Sequence, residues 1–516
     1  MAGAAGSARF GAPHEELEEA SVASLAAAMA EGRLTAARLT EMYLERIAAL
    51  NTAGPELRAV IETNPDALAI AEALDRERAE TGPRGPLHGI PILLKDNIDT
   101  ADQTLTTAGS LALMDSRPTR DATVAERLRA AGAVLLGKAN MSEWANIRSS
   151  HSSSGWSARG GQARNPYDLA RTPCGSSSGS ATAVAANLCA VSLGSETNGS
   201  ILCPGHINGV VGIKPTVGLT SRAGVIPISH TQDTIGPFGR TVADAAAVLG
   251  ALTGVDPRDP ATTSSAGRSF TDYTQFLDAN ALRGARIGIP RTAYFGYSEK
   301  ADPIAEAAVA ALKACGAEVI DPADIPTAKT LEETKAEFEV LLYELKADLN
   351  AYLATRPPEG AVRTLEDVIA FNEAHAGEEL AYFGQDILVT SQAKGPLTDE
   401  AYLSALVEIQ RLSRGEGIDA VMEESRLDAL FMPTGGPAWM IDLVNGDPSG
   451  GGGSSGPAAL AGYPAITVPA GMVAGLPVGV TFMGQAYSEP RLIALAYAFE
   501  QATLARGRPT YTNPAL

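Results

Sequence analysis

Cysteine is scarce: there are four in 516 residues, Cys174, Cys189, Cys203 and Cys315. None stands in C-x-x-C spacing, which argues against a zinc or dithiol redox motif. Reduced, buried thiols are the expected state. No apolar run approaches the ~18 residues of a membrane span. The opening "MAGAAGSARFGAPHEELEEA" has neither a basic n-region nor an apolar core, so no intact secretory signal is visible. A cytoplasmic location is expected, or a periplasmic or secreted one if a signal was removed beforehand. Positive charge is also short: 40 Lys and Arg against 60 Asp and Glu leave a net charge of −20. Neither nucleic acid nor an anionic membrane is therefore expected as a partner, since both bind through clustered Lys and Arg.

What is present is an ordinary globular balance, 45% hydrophobic and 19% charged. Residues 1–15 are small and polar and read as a flexible tail. In "TAARLTEMYLERIAAL" the positions Leu39, Met42, Tyr43, Ile47 and Leu50 share one helical face. "NPDALAIAEALDRERAE" predicts a helix with Asn64 as N-cap and Pro65 at its first position. "GIPILLKDNID" predicts a buried strand, "DATVAERLRAAGAVLLGK" a helix and a strand, and "TVADAAAVLGALTG" a capped helix. "GARIGIP", a helix near 303–314 and "AEVIDP" make one β-α-β pass. "LDALFMPT", "PAITVPA" and "PVGVTFMG" predict strands, followed by a last helix in "EPRLIALAYAFEQAT". This alternation implies an α/β fold with a mixed sheet covered by helices on both faces. Residues of about 328–425, rich in Glu, Leu, Ala and Lys, read as a helical insertion. "SGGGGSSG" (449–456) has no lysine and no strand–helix context, so it reads as a flexible loop and not a phosphate loop.

One stretch stands apart: "CGSSSGSATAVAANLCAVSLGSETNGSILCPG", residues 174–205, crowds serines and glycines around two short apolar runs. A nucleophilic serine there needs a proton acceptor. "GSSSG" matches the G-x-S-x-G elbow, which would make Ser177 the nucleophile. However, the preceding "NPYDLARTPC" is a loop and not a strand, and none of the downstream His206, His230 and His375 stands in a catalytic setting. The acceptor can instead be a lysine. In "ILLKDN", Lys95 follows Ile92, Leu93 and Leu94, and on a strand it faces away from Asp96. Burial disfavours the ammonium, so the pKa falls and a neutral amine can take a proton from a hydroxyl. Read alone, the same lysine also fits an ion pair at a strand end.

Three segments together resemble the amidase signature family: "GPLHGIPILLKDNIDT", the serine-rich stretch running on to "GHINGVVGIKPT", and "LAGYPAITVPAG" with "GLPVGVTFMG". The likeness covers nearly the whole chain from about residue 20. Within the family it is strongest to the bacterial peptide-amidase branch, through "MSEWAN", "GWSARGGQARNPY" and the insertion's "LLYELKA" and "AFNEAHA". The resemblance implies the amidase-signature fold over a single domain, 16–516. It implies Lys95 as the base, Ser176 as the bridging serine and Ser200 as the nucleophile. Backbone N–H groups of Thr197, Asn198, Gly199 and Ser200 would form the oxyanion hole. The family's Asp-Thr-Gly-Gly-Ser is here Glu196-Thr197-Asn198-Gly199-Ser200, and Leu202 replaces its arginine. Asn198 tolerates positive φ, so the turn is expected to survive.

The implied chemistry needs no cofactor and no metal. Neutral Lys95 accepts a proton from Ser176, Ser176 takes one from Ser200, and Ser200 forms an acyl-enzyme with the amide. The expected function is deamidation of C-terminal carboxamides of peptides or N-acylated amino acid amides, with release of ammonia. The alternatives are an amidase of aryl, acyl or lactam amides and, from a different class, the glutaminase component of a tRNA-dependent amidotransferase. The latter requires protein partners.

Overall fold

Long side chains at successive strand positions point to opposite faces of a sheet, so a strand buried at every position must be covered on both. That is the state of "PILLK" (91–95) and "VSLGSE" (191–196), in which every residue is buried. The computed structural model describes residues 12–448 and 453–513. Its strands in chain order are β1 (Val60–Thr63), β2 (Pro91–Lys95), β3 (Val134–Ala139), β4 (Trp156–Ser157), β5 (Gly161–Gln162), β6 (Val191–Glu196), β7 (Val211–Lys214), β8 (Thr234–Gly239), β9 (Arg286–Gly288), β10 (Glu318–Ile320), β11 (Ala429–Pro433), β12 (Ala465–Val473) and β13 (Leu476–Met483). Eleven of them form one sheet in the order β1-β3-β2-β6-β8-β7-β12-β13-β11-β9-β10, while β4 and β5 pair separately.

The sheet is mixed. β2 runs parallel to β3 and β6, whereas β6, β8, β7, β12, β13 and β11 alternate in direction. Helices pack on both faces, as the alternating pattern predicts. The helix Ala36–Leu50 buries the five positions of its predicted face. Thr241 caps Val242–Leu252 by accepting from the Asp244 N–H at 3.1 Å. Between β10 and β11, residues 328–424 fold as helices, the longest being Ala336–Ala354.

Three local expectations change. The helix after "NPD" begins at Ala67, because Asn64 spends its Oδ1 on the Asp66 N–H and forms a turn before the helix. Of the expected tail, residues 1–11 lie outside the described residues, but residues 13–15 are docked: Arg46 donates to the Pro13 carbonyl at 2.7 Å and Glu15 opens a short 3-10 turn. Of the glycine-rich loop, residues 449–452 lie outside the described residues. Its remainder is tied in: Gly453 bridges to Gly435, and Gly456 begins the helix Gly456–Ala461.

Cysteine departs further from expectation. Cys174 and Cys203 form a disulfide with Cα atoms 6.0 Å apart, while Cys189 and Cys315 are free. The pair could not be seen from spacing, since 29 residues separate the two sulfurs in sequence and the β6 crossing brings them together. The bridge joins the segment before Ser176 to the helix after Ser200. Closing a loop of that length restricts the unfolded chain by ~3–4 kcal/mol. Cys174→Ser with Cys203→Ser should lose up to that amount in urea unfolding, and its turnover should fall because the two serine-bearing segments are no longer tied. Unchanged stability and turnover would show the bridge to be incidental.

Candidate active site

β2 and β6 are parallel neighbours, with Leu94 beside Leu193, so both deliver their last residues to the same edge of the sheet. Open α/β sheets place ligand sites at such carboxyl ends. Lys95 ends β2, fully buried. Its Nζ lies 2.8 Å from Ser176 Oγ, 2.9 Å from Ser195 Oγ and 3.1 Å from the Ser195 carbonyl. In this arrangement Nζ donates to all three oxygens. Once deprotonated, the amine has two N–H groups and one lone pair, so it can keep both bonds to Ser195 and accept from the Ser176 hydroxyl. Burial pulls the Lys95 pKa from 10.5 to about 7, opposed by the carboxylates of Asp233 and Glu196. Asp96 points away, as strand alternation requires: its carboxylate takes the Thr107 hydroxyl at 2.5 Å and an Arg159 nitrogen at 3.1 Å.

Two other buried lysines show what a structural lysine looks like in this fold. Lys138 donates to the Ile98 carbonyl and the Thr106 hydroxyl, and Lys214 donates to the Pro215 and Tyr463 carbonyls. Neither touches a serine of the 174–205 stretch. Only Lys95, of these three, is aimed at a chain of hydroxyls.

Ser176 is fully buried and precedes the helix Ser178–Ala185, whose N-cap is Ser177, so Ser176 is not spent on capping. Its carbonyl accepts from the Ser142 N–H at 3.1 Å, and the next N–H, of Ser177, reaches the Ser200 carbonyl at 3.3 Å. The segments of Ser176 and Ser200 therefore lie against each other, although no hydrogen bond joins their side chains among the described residues. Gly175 lets the Ser176 segment lie close to Ser142: a Cβ there would stand 2.1 Å from Ser142 Oγ. The Ser177 hydroxyl donates to the Ser195 carbonyl at 3.0 Å and meets no histidine. His206 is held between the Gly436 carbonyl and the Gly479 N–H, and burial lowers its pKa to about 4. His230 pairs with Asp348, and His375 stacks on Phe371. The elbow reading has no base.

Ser200, 9% exposed, follows the turn Thr197-Asn198-Gly199. The N–H groups of Thr197, Asn198, Gly199 and Ser200 have no acceptor among the described residues. Gly199 is at φ +85°, which an L side chain adopts only under strain. The Glu196 carboxylate caps the helix Leu202–Ile207: its Oε2 accepts from the Ile201 N–H at 2.6 Å and the Leu202 N–H at 2.9 Å. Leu202 is buried in an apolar cluster with Leu430 and Met432. Thr197 donates to Asp233 at 2.6 Å, a half-buried carboxyl whose pKa desolvation raises to about 6.

Ser195 and Asn97 are absent from the sequence-based site. Asn97 Nδ2 donates to Ser195 Oγ at 2.9 Å, so both support the Lys95 amine. The signal for Asn97 was available, since it lies two residues beyond Lys95. Ser195 depended on the β2–β6 register. Beside them opens a cavity of about 620 Å³ whose wall includes Asn97, Ser195, Thr197, Ile226, Ile228 and Tyr352, within the range of pockets for small organic ligands. One group among the described residues, His230, Glu344 and Asp348, brings metal-type ligand atoms within 4.8 Å of one another. Its oxygens are already engaged: Glu344 accepts from Ser229, Thr231 and Tyr402, and Asp348 from His230.

The family profile "Amidase" matches residues 38–493. The crystal structure of native peptide amidase from Stenotrophomonas maltophilia is 54% identical, with a TM-score of 0.91 over 95% of this chain and 98% of that one. A "Probable amidase" of Arabidopsis thaliana is 47% identical over 96% of this chain and 92% of its own length. A glutamyl-tRNA(Gln) amidotransferase chain from Chloroflexus aurantiacus is 35% identical over 95% of this chain and 97% of its own length. Among the described residues no helix is long and apolar enough to cross a membrane. With the family matched over residues 38–493 and relatives 54% and 47% identical over nearly the whole of both chains, this chain is an amide hydrolase of the amidase signature family.

Proposed function

We propose that residues 16–516 act as one amidase domain that removes the C-terminal carboxamide of peptides or N-acylated amino acid amides as ammonia. The observation that carries the mechanism is the contact of a buried Lys95 amine, with a pKa near neutrality, with the Ser176 hydroxyl at 2.8 Å. Neutral Lys95 takes the Ser176 proton and Ser176 takes that of Ser200. Ser200 Oγ bonds to the amide carbon, and the carbonyl oxygen gains negative charge facing the N–H groups of Thr197–Ser200. Each such donor contributes about 3–4 kcal/mol to the barrier lowering. The C–N bond then breaks as the relay returns a proton to nitrogen, giving ammonia and a Ser200 ester. Water, deprotonated through the same relay, hydrolyses that ester to the carboxylate. No metal or organic cofactor enters these steps.

Peptide amides are favoured over aryl, acyl or lactam amides by the 54% identity to a peptide amidase. The disulfide favours an oxidising compartment over the cytoplasm. An ammonia-release assay over peptide amides, free amino acid amides, glutamine, anilides and lactams tests the reading. Peptide amides should turn over fastest, and peptides ending in a free carboxylate should stay uncut. Glutamine as the best substrate would move the protein to the amidotransferase reading.

Ser176→Ala should lower kcat with little change in KM, because the link from Ser200 to Lys95 is cut while the binding cavity is untouched. Steady-state kinetics checks this, and wild-type kcat would remove Ser176 from the relay.

A further inference from the structure

We propose that Glu337, in the first turn of the insertion helix Ala336–Ala354, positions the oxyanion turn through Asn198 and so sets the rate of the chemical step. The four N–H groups of that turn meet no protein acceptor among the described residues, so the turn is held through its other atoms: the Gly199 carbonyl accepts from the Cys203 N–H at 2.8 Å, the Ser200 carbonyl from the Ser177 N–H at 3.3 Å, and the Thr197 hydroxyl donates to Asp233 at 2.6 Å. Asn198, at the middle of the turn, is held by its side chain. Asn198 Nδ2 donates to Glu337 Oε1 at 2.8 Å, and the Ser455 hydroxyl donates to Asn198 Oδ1 at 2.7 Å. Gln232 donates to the same Glu337 oxygen at 3.0 Å and reaches the Thr197 carbonyl at 3.5 Å. The exposed Asn198 amide thus has both ends engaged, by the insertion on one side and by the segment before Gly456–Ala461 on the other.

The chemistry at position 198 gives this arrangement its meaning. A glycine there offers no side chain to hold, and an aspartate would set a carboxylate against Glu337. Asparagine presents a neutral donor to the carboxylate and a neutral acceptor to Ser455. Oxyanion donors contribute by being aimed before the charge develops, so loosening the turn raises the barrier without weakening the bound substrate. Glu337 is therefore a positioning residue, and its removal acts on kcat.

This rests on the reading of residues 197–200 as the oxyanion donors. The test compares Glu337→Ala, Glu337→Gln and Asn198→Ala singly, and Glu337→Ala with Asn198→Ala, with kcat corrected for the fraction of molecules titrated by a fluorophosphonate. Glu337→Ala should lower kcat on the order of tenfold, with KM within about twofold. Glu337→Gln, which keeps the acceptor oxygen, should stay near wild type. In the Asn198→Ala background, Glu337→Ala should add less than about a further twofold, since its path is already cut. Affinity for a peptide aldehyde, whose adduct oxygen occupies the turn, should fall with kcat, whereas affinity for the product carboxylate should not. Wild-type kcat in Glu337→Ala, equal losses in both backgrounds, or a Gln variant as impaired as the Ala variant would overturn the proposal. Hydrolysis surviving in Ser200→Ala would instead refute the underlying site, whatever these variants do.

Discussion

Ser200→Ala should bind peptide amides as the wild type does and turn them over more slowly by roughly 10³-fold or more, as when nucleophiles are lost from other hydrolases. The substitution removes one oxygen at a position 9% exposed, at the end of a turn shaped by Gly199 and by the capping of Leu202–Ile207. Nothing in the packing depends on that oxygen, so unfolding should be little changed. Covalent labelling by a fluorophosphonate should vanish, and mass spectrometry of the labelled wild type should place the adduct on Ser200. Labelling of the alanine variant at the wild-type rate would assign the nucleophile elsewhere.

Lys95→Arg should be nearly inactive although charge and approximate length are kept. A guanidinium stays protonated and cannot accept from Ser176. Lys95→Met should be equally inactive for lack of any base. The two variants separate in stability. The wild-type lysine has a folded pKa of about 7 against 10.5 in a free side chain, so between those values the unfolded chain holds a proton that the folded one lacks. Unfolding free energy of the wild type should therefore rise with pH across that window relative to Lys95→Met, and below pH 7 the methionine variant should be the more stable. Denaturation at several pH values measures this directly. Activity retained in Lys95→Arg would make the lysine a structural cation.

Much of this was legible in the residues. Alternating apolar runs and small-residue helices were enough for a mixed sheet covered on both faces. "ILLK" was enough to raise Lys95 as a candidate base, but the same run also fitted an ion-paired lysine at a strand end, and the choice between them needed the family resemblance. Ser176 and Ser200 needed the family resemblance, since a serine in a glycine-rich loop is otherwise a turn residue. What stayed hidden depended on register and on long-range closure. Ser195 meets Lys95 because β6 pairs with β2 in one particular alignment. The Cys174–Cys203 bridge and the Asn198–Glu337 bond join segments whose approach no local pattern encodes. The bonds from the Ile201 and Leu202 N–H groups to the Glu196 carboxylate likewise depend on how the chain closes after β6.

The central claim is that the resting enzyme carries a neutral Lys95 as its base. The pH dependence of kcat/KM for a peptide amide, measured on the wild type with a neutral substrate, tests it most directly. The account predicts a rate that climbs with pH, passes half its limit near the Lys95 pKa of about 7 and then stays level on the alkaline side, as the fraction of neutral amine does. A rate independent of pH from about 5 to 9, or one that falls above about 7 as a required ammonium loses its proton, would contradict it.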